Sequence, residues 1–230
     1  MDIRTLPETE RAIYHDLRAR YSLHFETTKI KEHAIRLLTP SDLDELLGGN
    51  APLDDVSTFP FWFRQWESGI VLAHTLVSHP DPQGRRLLEL GAGLGLAGLA
   101  AAKAGFAVTL SDNDDLILDF QRVSTAANGL SGIVSMKIDL LHLPGLESFD
   151  VIAGAEILFK EEFVEPMLTI CQNCLKPGGW VYLAHDIRRR NLRLFLEQAE
   201  KNFAIGSKKQ VMTRDGRTTE ILVNRLQRRC

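Results

Sequence analysis

Cysteine is scarce in this chain: 3 of 230 residues, beside 4 methionines and 3 each of tryptophan and tyrosine. A secreted protein of this size usually carries an even set of paired cysteines, so Cys171, Cys174 and Cys230 argue against a disulfide framework and for a reducing compartment. Cys171 and Cys174 have the spacing of half a zinc or redox site. No second pair and no suitably spaced histidine completes it, so no metal site is expected. Long apolar runs are also missing. The stretch over residues 87–110 approaches membrane length, but it holds Glu89, Lys103 and five glycines, and its periodicity changes midway. It reads as strand, helix, strand rather than a span. The opening "MDIRTLPETERAIYHDLRARY" is polar and mixed in charge, unlike an export signal. These absences predict a cytoplasmic protein with no membrane partner.

With 44% hydrophobic and 25% charged residues, the chain has the composition to bury a sizeable core. Its net charge of −3 is unevenly spread: residues 61–187 carry 8 basic and 15 acidic side chains, residues 188–230 carry 12 and 4. An acidic middle favours a cationic substrate, and a basic tail an anionic one. The string "RRRNLR" has no interleaved aromatics, so it reads as a solvated helix face and not as a nucleic-acid site. No repeat or low-complexity tract appears, and nothing addresses oligomeric state.

From residue 87 onward, strand-like and helix-like patterns alternate, which predicts an α/β protein with a parallel sheet covered by helices. The strands are expected at residues 87–90, 107–110, 133–138, 149–153 and 180–184. Helices are expected near 94–104, 114–128, 160–175 and 189–202. "LKPGGW" reads as a helix stop followed at once by a strand. Two β-like runs around Asp215-Gly216 predict a closing antiparallel hairpin, which makes seven strands. Residues 1–60 form a separate α+β extension that could recognise substrate, and residues 61–230 the main domain. The extension has a helix over 7–21, two extended runs, a short helix capped by Ser41 and ending at Gly48-Gly49, and a loop over 50–60. A further helix is expected over 70–77.

"LLELGAGLGLAG", residues 87–98, places four glycines behind an apolar run containing one acid, Glu89. Glycine between a strand and a helix lets a ligand approach the backbone closely. Read from Gly93, the string is G-x-G-x-x-G, the dinucleotide pattern, with Asp112 about twenty residues on, as a ribose acid would be. That register leaves Glu89 without a role. Read from Glu89, it is E-x-G-x-G-x-G, with Asp112 after "AVTL", Asp139 after "VSMKI" and the Pro-Gly-Gly turn of "LKPGGWVYLA" following in order.

This series resembles the seven-strand S-adenosylmethionine-dependent methyltransferases, over residues 60 to 226. The resemblance implies a Rossmann-like sheet of five parallel strands plus the C-terminal hairpin, with S-adenosylmethionine as cofactor. It implies that Glu89, Gly91, Gly93 and Gly95 wrap the cofactor, that Asp112 beside Asn113 holds the ribose, and that Asp139 meets the adenine edge. "FDVIAGAEILFK" lacks the Asn/Asp-Pro-Pro-aromatic string of DNA amino-methyltransferases. Its Glu156-x-x-Phe159 resembles the acidic-x-x-aromatic motif of the protein-lysine group called methyltransferase family 16, with Ala155 just before it on the cofactor. "FPFWFRQWESGIVLAHTLVSHP" resembles that group's tryptophan segment, with Trp66 walling the cofactor. "AIRLLTPSDLDELL" followed by "FPFW" resembles the branch acting on the electron-transfer flavoprotein β subunit, itself similar to ribosomal protein L11 methyltransferases.

The resemblance thus implies a protein substrate, with Glu156 accepting a hydrogen bond from a lysine ε-amine and Phe159 lining the channel for its stem. A lysine must shed its proton from about pKa 10.4 to react. His185 and Asp186, after the fifth strand, are further candidates for substrate contact, His185 as a base of near-neutral pKa. Adjacent residues on a strand point to opposite faces, which argues against their working as a pair. The alternatives are a small-molecule N- or O-methyltransferase, an NAD-dependent oxidoreductase, and a non-catalytic binding module.

Overall fold

A computed structural model describes residues 2–48 and 59–229. Gly49, Cys230 and all of the expected 50–60 loop except Phe59 and Pro60 lie outside the described residues. A helix α1 (Glu8–Arg20) leads into an antiparallel hairpin of β1 (Leu23–Ile30) and β2 (His33–Pro40), then a short helix α2 (Leu43–Leu47). The main unit follows as α3 (Glu67–Val77), β3 (Arg86–Leu90), α4 (Leu96–Ala104), β4 (Ala107–Asp112), α5 (Asp115–Ala127) and β5 (Val134–Lys137). It continues as β6 (Phe149–Ala155), α6 (Val164–Asn173), β7 (Leu175–Asp186), α7 (Arg190–Ala199), β8 (Phe203–Arg214) and β9 (Arg217–Arg228).

Seven strands form one sheet in the order β5-β4-β3-β6-β7-β9-β8. β3 to β7 run parallel, and β9 and β8 close the sheet antiparallel, as the alternation and the Asp215-Gly216 turn predict. Both turn residues have positive φ (51° and 73°), the geometry of a tight two-residue hairpin turn. Side chains alternate across the sheet. On one face Leu87, Val151, Ala153, Tyr182 and Ala184 join a core with Leu72, Leu76, Leu99 and Phe120 of α3, α4 and α5. On the other face Leu88, Ile152, Val181 and Leu183 pack with Met167, Ile170, Leu192 and Phe195 of α6 and α7.

Several local expectations shift. Asp42, not Ser41, caps α2: its carboxylate accepts the Asp44 amide at 2.9 Å, while Ser41 Oγ lies 2.9 Å from His24 Nδ1. Gly48 closes that helix with φ +59. Residues 161–163, expected as helix, form a 3₁₀ turn, and α6 begins only at Val164. Pro177-Gly178-Gly179 does not precede a strand but interrupts one. Leu175 already pairs with Phe149, the register shifts, and Trp180 resumes opposite Val151, because Pro177 has no amide to donate and Gly178 takes φ +74.

The N-terminal extension shares the core: Leu17, Ile30, Ile35, Leu37 and Leu38 are buried in the cluster of α3 to α5. The free edge of β2 is matched to α5 by side chains. Leu38 N–H donates to Ser124 Oγ (2.9 Å), Arg36 N–H to Asn128 Oδ1 (2.9 Å), and Asn128 Nδ2 to Arg36 O (2.6 Å). Asn128→Ala strips both partners from the Arg36 backbone, and unpaired polar groups of this kind cost about 1–3 kcal/mol. Thermal denaturation of the variant should show that loss; an unchanged midpoint would mean that the edge is not held this way.

Candidate active site

Parallel strands point their C-terminal ends to one edge of a sheet, and ligands of such sheets bind there. At this edge the loop after β3 turns through Gly91, Gly93 and Gly95, all at positive φ (60°, 52° and 86°). A Cβ at Gly91 would come within 2.5 Å of Ile157 Cδ1, so the loop tip lies close against the segment after β6, and its positive φ disfavours any side chain there. Gly93 is clamped from two sides. Its N–H donates to Asp112 Oδ2 at 2.9 Å, and its carbonyl accepts from Gln121 Nε2 at 2.9 Å.

Glu89 points from β3 toward α4, with its carboxyl Oε2 accepting the Gly98 amide at 2.6 Å. Gly98 permits this approach: a Cβ there would meet Leu110 Cδ2 at 2.2 Å and Glu89 Oε2 at 2.6 Å. Burial of Glu89 pushes its carboxyl up to about 8, against the single lowering effect of the Gly98 hydrogen bond. Packing of α4 on the sheet is thus what the fourth glycine serves. The last glycine of a dinucleotide loop has the same duty, so the strand order and the Glu89 contact, not the glycine count, separate the two readings.

Asp112 ends β4 with its carboxyl enclosed, and desolvation pushes it up to about 6. Its Oδ2 accepts the Gly93 amide and its Oδ1 the Asn113 amide, each at 2.9 Å. A carboxylate offers about two acceptor positions per oxygen. One therefore stays open on each oxygen of Asp112, the paired arrangement that a vicinal diol needs. Together with the side-chain-free glycine turn, this fits the ribose and amino-acid part of S-adenosylmethionine. Asn113 is exposed beside it. Asp139 lies further along the same edge, its carboxylate accepting the Leu141 amide (2.9 Å) and facing His142 Nδ1 (2.8 Å), and the His142 contact holds it below the usual carboxylate range.

Tryptophan enters differently from the expectation. Trp66 stands at the start of α3, donates its indole N–H to Phe61 O, and lies under the Arg64 guanidinium at 4.6 Å. It is Trp62 that meets the loop. Its Cβ would lie 3.6 Å from a Cβ at Gly93, and its ring packs 5.2 Å from that of Phe120. Helical periodicity reaches back only to α3 and says nothing about the 3₁₀ turn at Phe61–Phe63, so the choice between the two tryptophans had no signal in the sequence. Gln121 did leave one: it is a polar residue on the buried face of α5, between Phe120 and Ser124.

Beyond β6, Ala155 pairs with Ala184, and Glu156 follows in the left-handed region (φ 53°). Such a backbone costs a non-glycine residue on the order of 1–3 kcal/mol and persists where the surroundings over-determine it. Here they do. Glu156 N–H donates to Ala184 O (3.0 Å), and Oε1 accepts from Ser68 Oγ (3.0 Å) and Asp186 N–H (2.6 Å). Oε2 accepts from Arg189 Nε (2.9 Å) and Nη2 (2.5 Å). By the same count that leaves Asp112 two open positions, Glu156 has none for a substrate amine. Phe159 closes the turn, 44% exposed and edge-on to Phe163 at 5.0 Å.

His185 and Asp186 separate as neighbours on a strand must. His185 is fully buried, accepts the Leu158 amide at Nε2 (3.2 Å), and is pushed down to about 4, chiefly by burial. The near-neutral base expected of it is not found, because an imidazolium in that core would lack hydration. Asp186 stays at the surface with its carboxylate bound to Arg188, which holds it below the usual carboxylate range. Among the described residues no cluster of His, Cys, Asp and Glu is arranged to hold a metal ion, and Cys171 and Cys174 are buried free thiols. No helix of the described residues is long and apolar enough to cross a membrane.

The strand order, the glycine loop after β3 and the acid ending β4 define an S-adenosylmethionine-dependent methyltransferase of the seven-strand class. TrmN from Thermus thermophilus has the same fold: TM-score 0.57, 25% identity, with 70% of this chain and 49% of that one aligned. Within the class, the chain belongs to the lysine methyltransferase family, whose model matches residues 63–202. Membership makes S-adenosylmethionine its cofactor. Among curated relatives, the EEF1A lysine methyltransferase 3 of Mus musculus is 29% identical over 131 residues, covering 54% of this chain and 56% of that protein. The histone-arginine methyltransferase METTL23 of Rattus norvegicus is 34% identical over 110 residues, covering 45% and 49%. The matched region thus spans about half the length of each of these two relatives.

The raised Glu89 carboxyl has a consequence for stability. In the unfolded chain it ionises near its ordinary value of 4.5, in the folded protein only near 8. Its neutral form therefore favours folding fully below about pH 4.5, and that contribution is lost as pH rises toward 8. Asp112 adds a parallel loss that is complete by about pH 6. Between pH 6 and 8, Glu89→Gln should lose stability less steeply than wild type in urea melts; parallel curves would show that the buried carboxyl does not set the slope.

Proposed function

We propose that this protein transfers a methyl group from S-adenosylmethionine to a lysine ε-amine of a protein substrate, in the cytoplasm. The family match carries the reading, because residues 63–202 span both the glycine loop and the Glu156–Phe159 motif. Buried free thiols suit the compartment.

The bound cofactor supplies an electrophilic methyl group on a sulfonium. What remains for the chain is to hold it, to exclude water and to present a neutral amine. Gly91, Gly93 and Gly95 give it backbone, Asp112 takes the ribose hydroxyls, Trp62 and Ala155 border it, and Asp139 stands at the adenine end. Phe159 flanks the stem of the incoming lysine. Three carboxylates around the mouth are matched by arginines: Glu156 by Arg189, Asp186 by Arg188, and Glu67 by Arg64 at 3.5 Å. A free carboxylate beside a lysine would favour its ammonium form. Neutralised ones do not, which suits a reaction that needs the free amine.

A second reading is an arginine target, favoured by the likeness to METTL23. Radiolabelled methyl transfer from S-adenosylmethionine into a host-cell lysate, followed by acid hydrolysis of labelled protein, decides between them. Methyl-lysine is expected; methyl-arginine would replace the target, and label confined to small molecules would sink the protein-substrate reading. Asp112→Ala should weaken S-adenosylhomocysteine binding by about tenfold or more in calorimetry, the loss of one or two hydrogen bonds from an enclosed acid. Undiminished binding would remove Asp112 from the cofactor site.

A further inference from the structure

We propose that Glu156 is a positioning residue and not the acceptor of the substrate amine, and that Arg189, acting through it, sets the turn that carries Phe159 at the mouth of the site. The proposal rests on the lysine-transfer reading for its functional meaning, though its geometry stands without it.

Three separate segments converge on the Glu156 carboxylate. Ser68 comes from the first turn of α3, the Asp186 amide from the end of β7, and Arg189 from the residue preceding α7. A two-point guanidinium–carboxylate pair is among the stronger and more directional of side-chain contacts. The pair is also partly sheltered, with the Glu156 side chain 20% and the Arg189 side chain 37% exposed. Such an arrangement costs ordering entropy, and here its return is a left-handed backbone at Glu156 that an L side chain otherwise avoids. Downstream, the turn is pinned twice more: Leu158 N–H on His185 Nε2 (3.2 Å), and Asn191 Nδ2 on Leu158 O (3.2 Å). Residues 185–191 thus grip the motif from one side, and Ile157 and Phe159 are held apart. Ile157 is buried against Gly91 and Gly154, while Phe159 faces outward.

An amine acceptor needs an open lone pair, and Glu156 has none while Arg189 is in place. Displacing a two-point guanidinium by a single ammonium would exchange two hydrogen bonds for one. The charged and titratable groups that face this carboxylate are Arg189, Arg188, Asp186 and His185. Asp186 is already paired with Arg188, and His185 is neutral in the core.

Arg189→Met, Arg189→Lys, Glu156→Gln and the double variant Glu156→Gln/Arg189→Met separate the two roles. Lysate labelling is one readout; S-adenosylhomocysteine binding and hydrogen exchange of the Leu158 amide are two that need no substrate. The expected result is that Arg189→Met lowers labelling by about 10- to 100-fold, leaves S-adenosylhomocysteine binding unchanged and speeds Leu158 exchange. Arg189→Lys should recover part of each loss. The double variant should be no worse than Arg189→Met, since both changes act through one pair. Labelling by Arg189→Met at or above wild type, with Glu156→Gln silent, would overturn the proposal and make Glu156 the amine acceptor freed of a competitor. Unchanged Leu158 exchange would overturn it as well. If wild type labels no protein, the lysine reading fails by itself, and Leu158 exchange still decides what Arg189 does.

Discussion

Carboxylates at the ends of parallel strands must be satisfied before they can be enclosed, because a buried acid without hydrogen-bond donors is too costly to keep. Three such acids organise this protein, and each is met by a backbone amide from a neighbouring segment. Glu89 takes the Gly98 amide, Asp112 those of Gly93 and Asn113, and Glu156 that of Asp186. Each contact fixes a loop as much as it satisfies an acid. The Glu89 contact sets how closely α4 lies on the sheet, the Asp112 contact sets the glycine turn, and the Glu156 contact sets the segment after β6. What remains unused then marks function: one open acceptor position on each oxygen of Asp112, none on Glu156.

The walls of the site come from both ends of the chain. Residues 59–66 carry Trp62 to the glycine loop, and they are held from either side. Thr28 of β1 donates to Gln65 Oε1 at 2.7 Å, and Arg214 at the tip of the terminal hairpin donates to Gln65 O at 2.9 Å. Arg214 also lies 3.6 Å from Glu26 of β1. β2 in turn is fastened to α5, the helix that supplies Gln121 and Phe120 to the same wall. The N-terminal extension is therefore coupled to the cofactor loop through packing and hydrogen bonds. A change at its edge has a physical route to the site.

Charge at the mouth follows a consistent rule. Glu67, Asp186 and Glu156 are half-buried there and each carries an arginine from a nearby turn; for Asp186 and Glu156 that arginine comes from residues 188–230, so the acidic middle of the chain and its basic tail, which look like opposing fields along the sequence, meet in pairs in space. Of these, Asp186–Arg188 and Glu67–Arg64 involve well-exposed arginines and add little to stability. Their effect lies in placement, and in the proposed transfer to lysine a carboxylate matched by an arginine does not hold the incoming amine in its charged form.

The sequence alone determined what depends on local chemistry. Alternating apolar runs, helix stops and the Asp215-Gly216 turn are written in short stretches, and they were enough for five parallel strands closed by an antiparallel hairpin, while the places given to Glu89 and Asp112 followed from the family that their spacing resembles. Tertiary structure alone decided whatever depends on residues distant along the chain. That Trp62 rather than Trp66 meets Gly93, that Gly98 gives way to Glu89, and that Arg189 fills the acceptor positions of Glu156 are outcomes of how strands and loops converge. The same holds for His185, whose strand position was legible but whose neutrality comes from a core assembled around it. A hydrogen-bond inventory is a property of a place in space, and periodicity along one chain carries no record of what arrives from elsewhere to fill it.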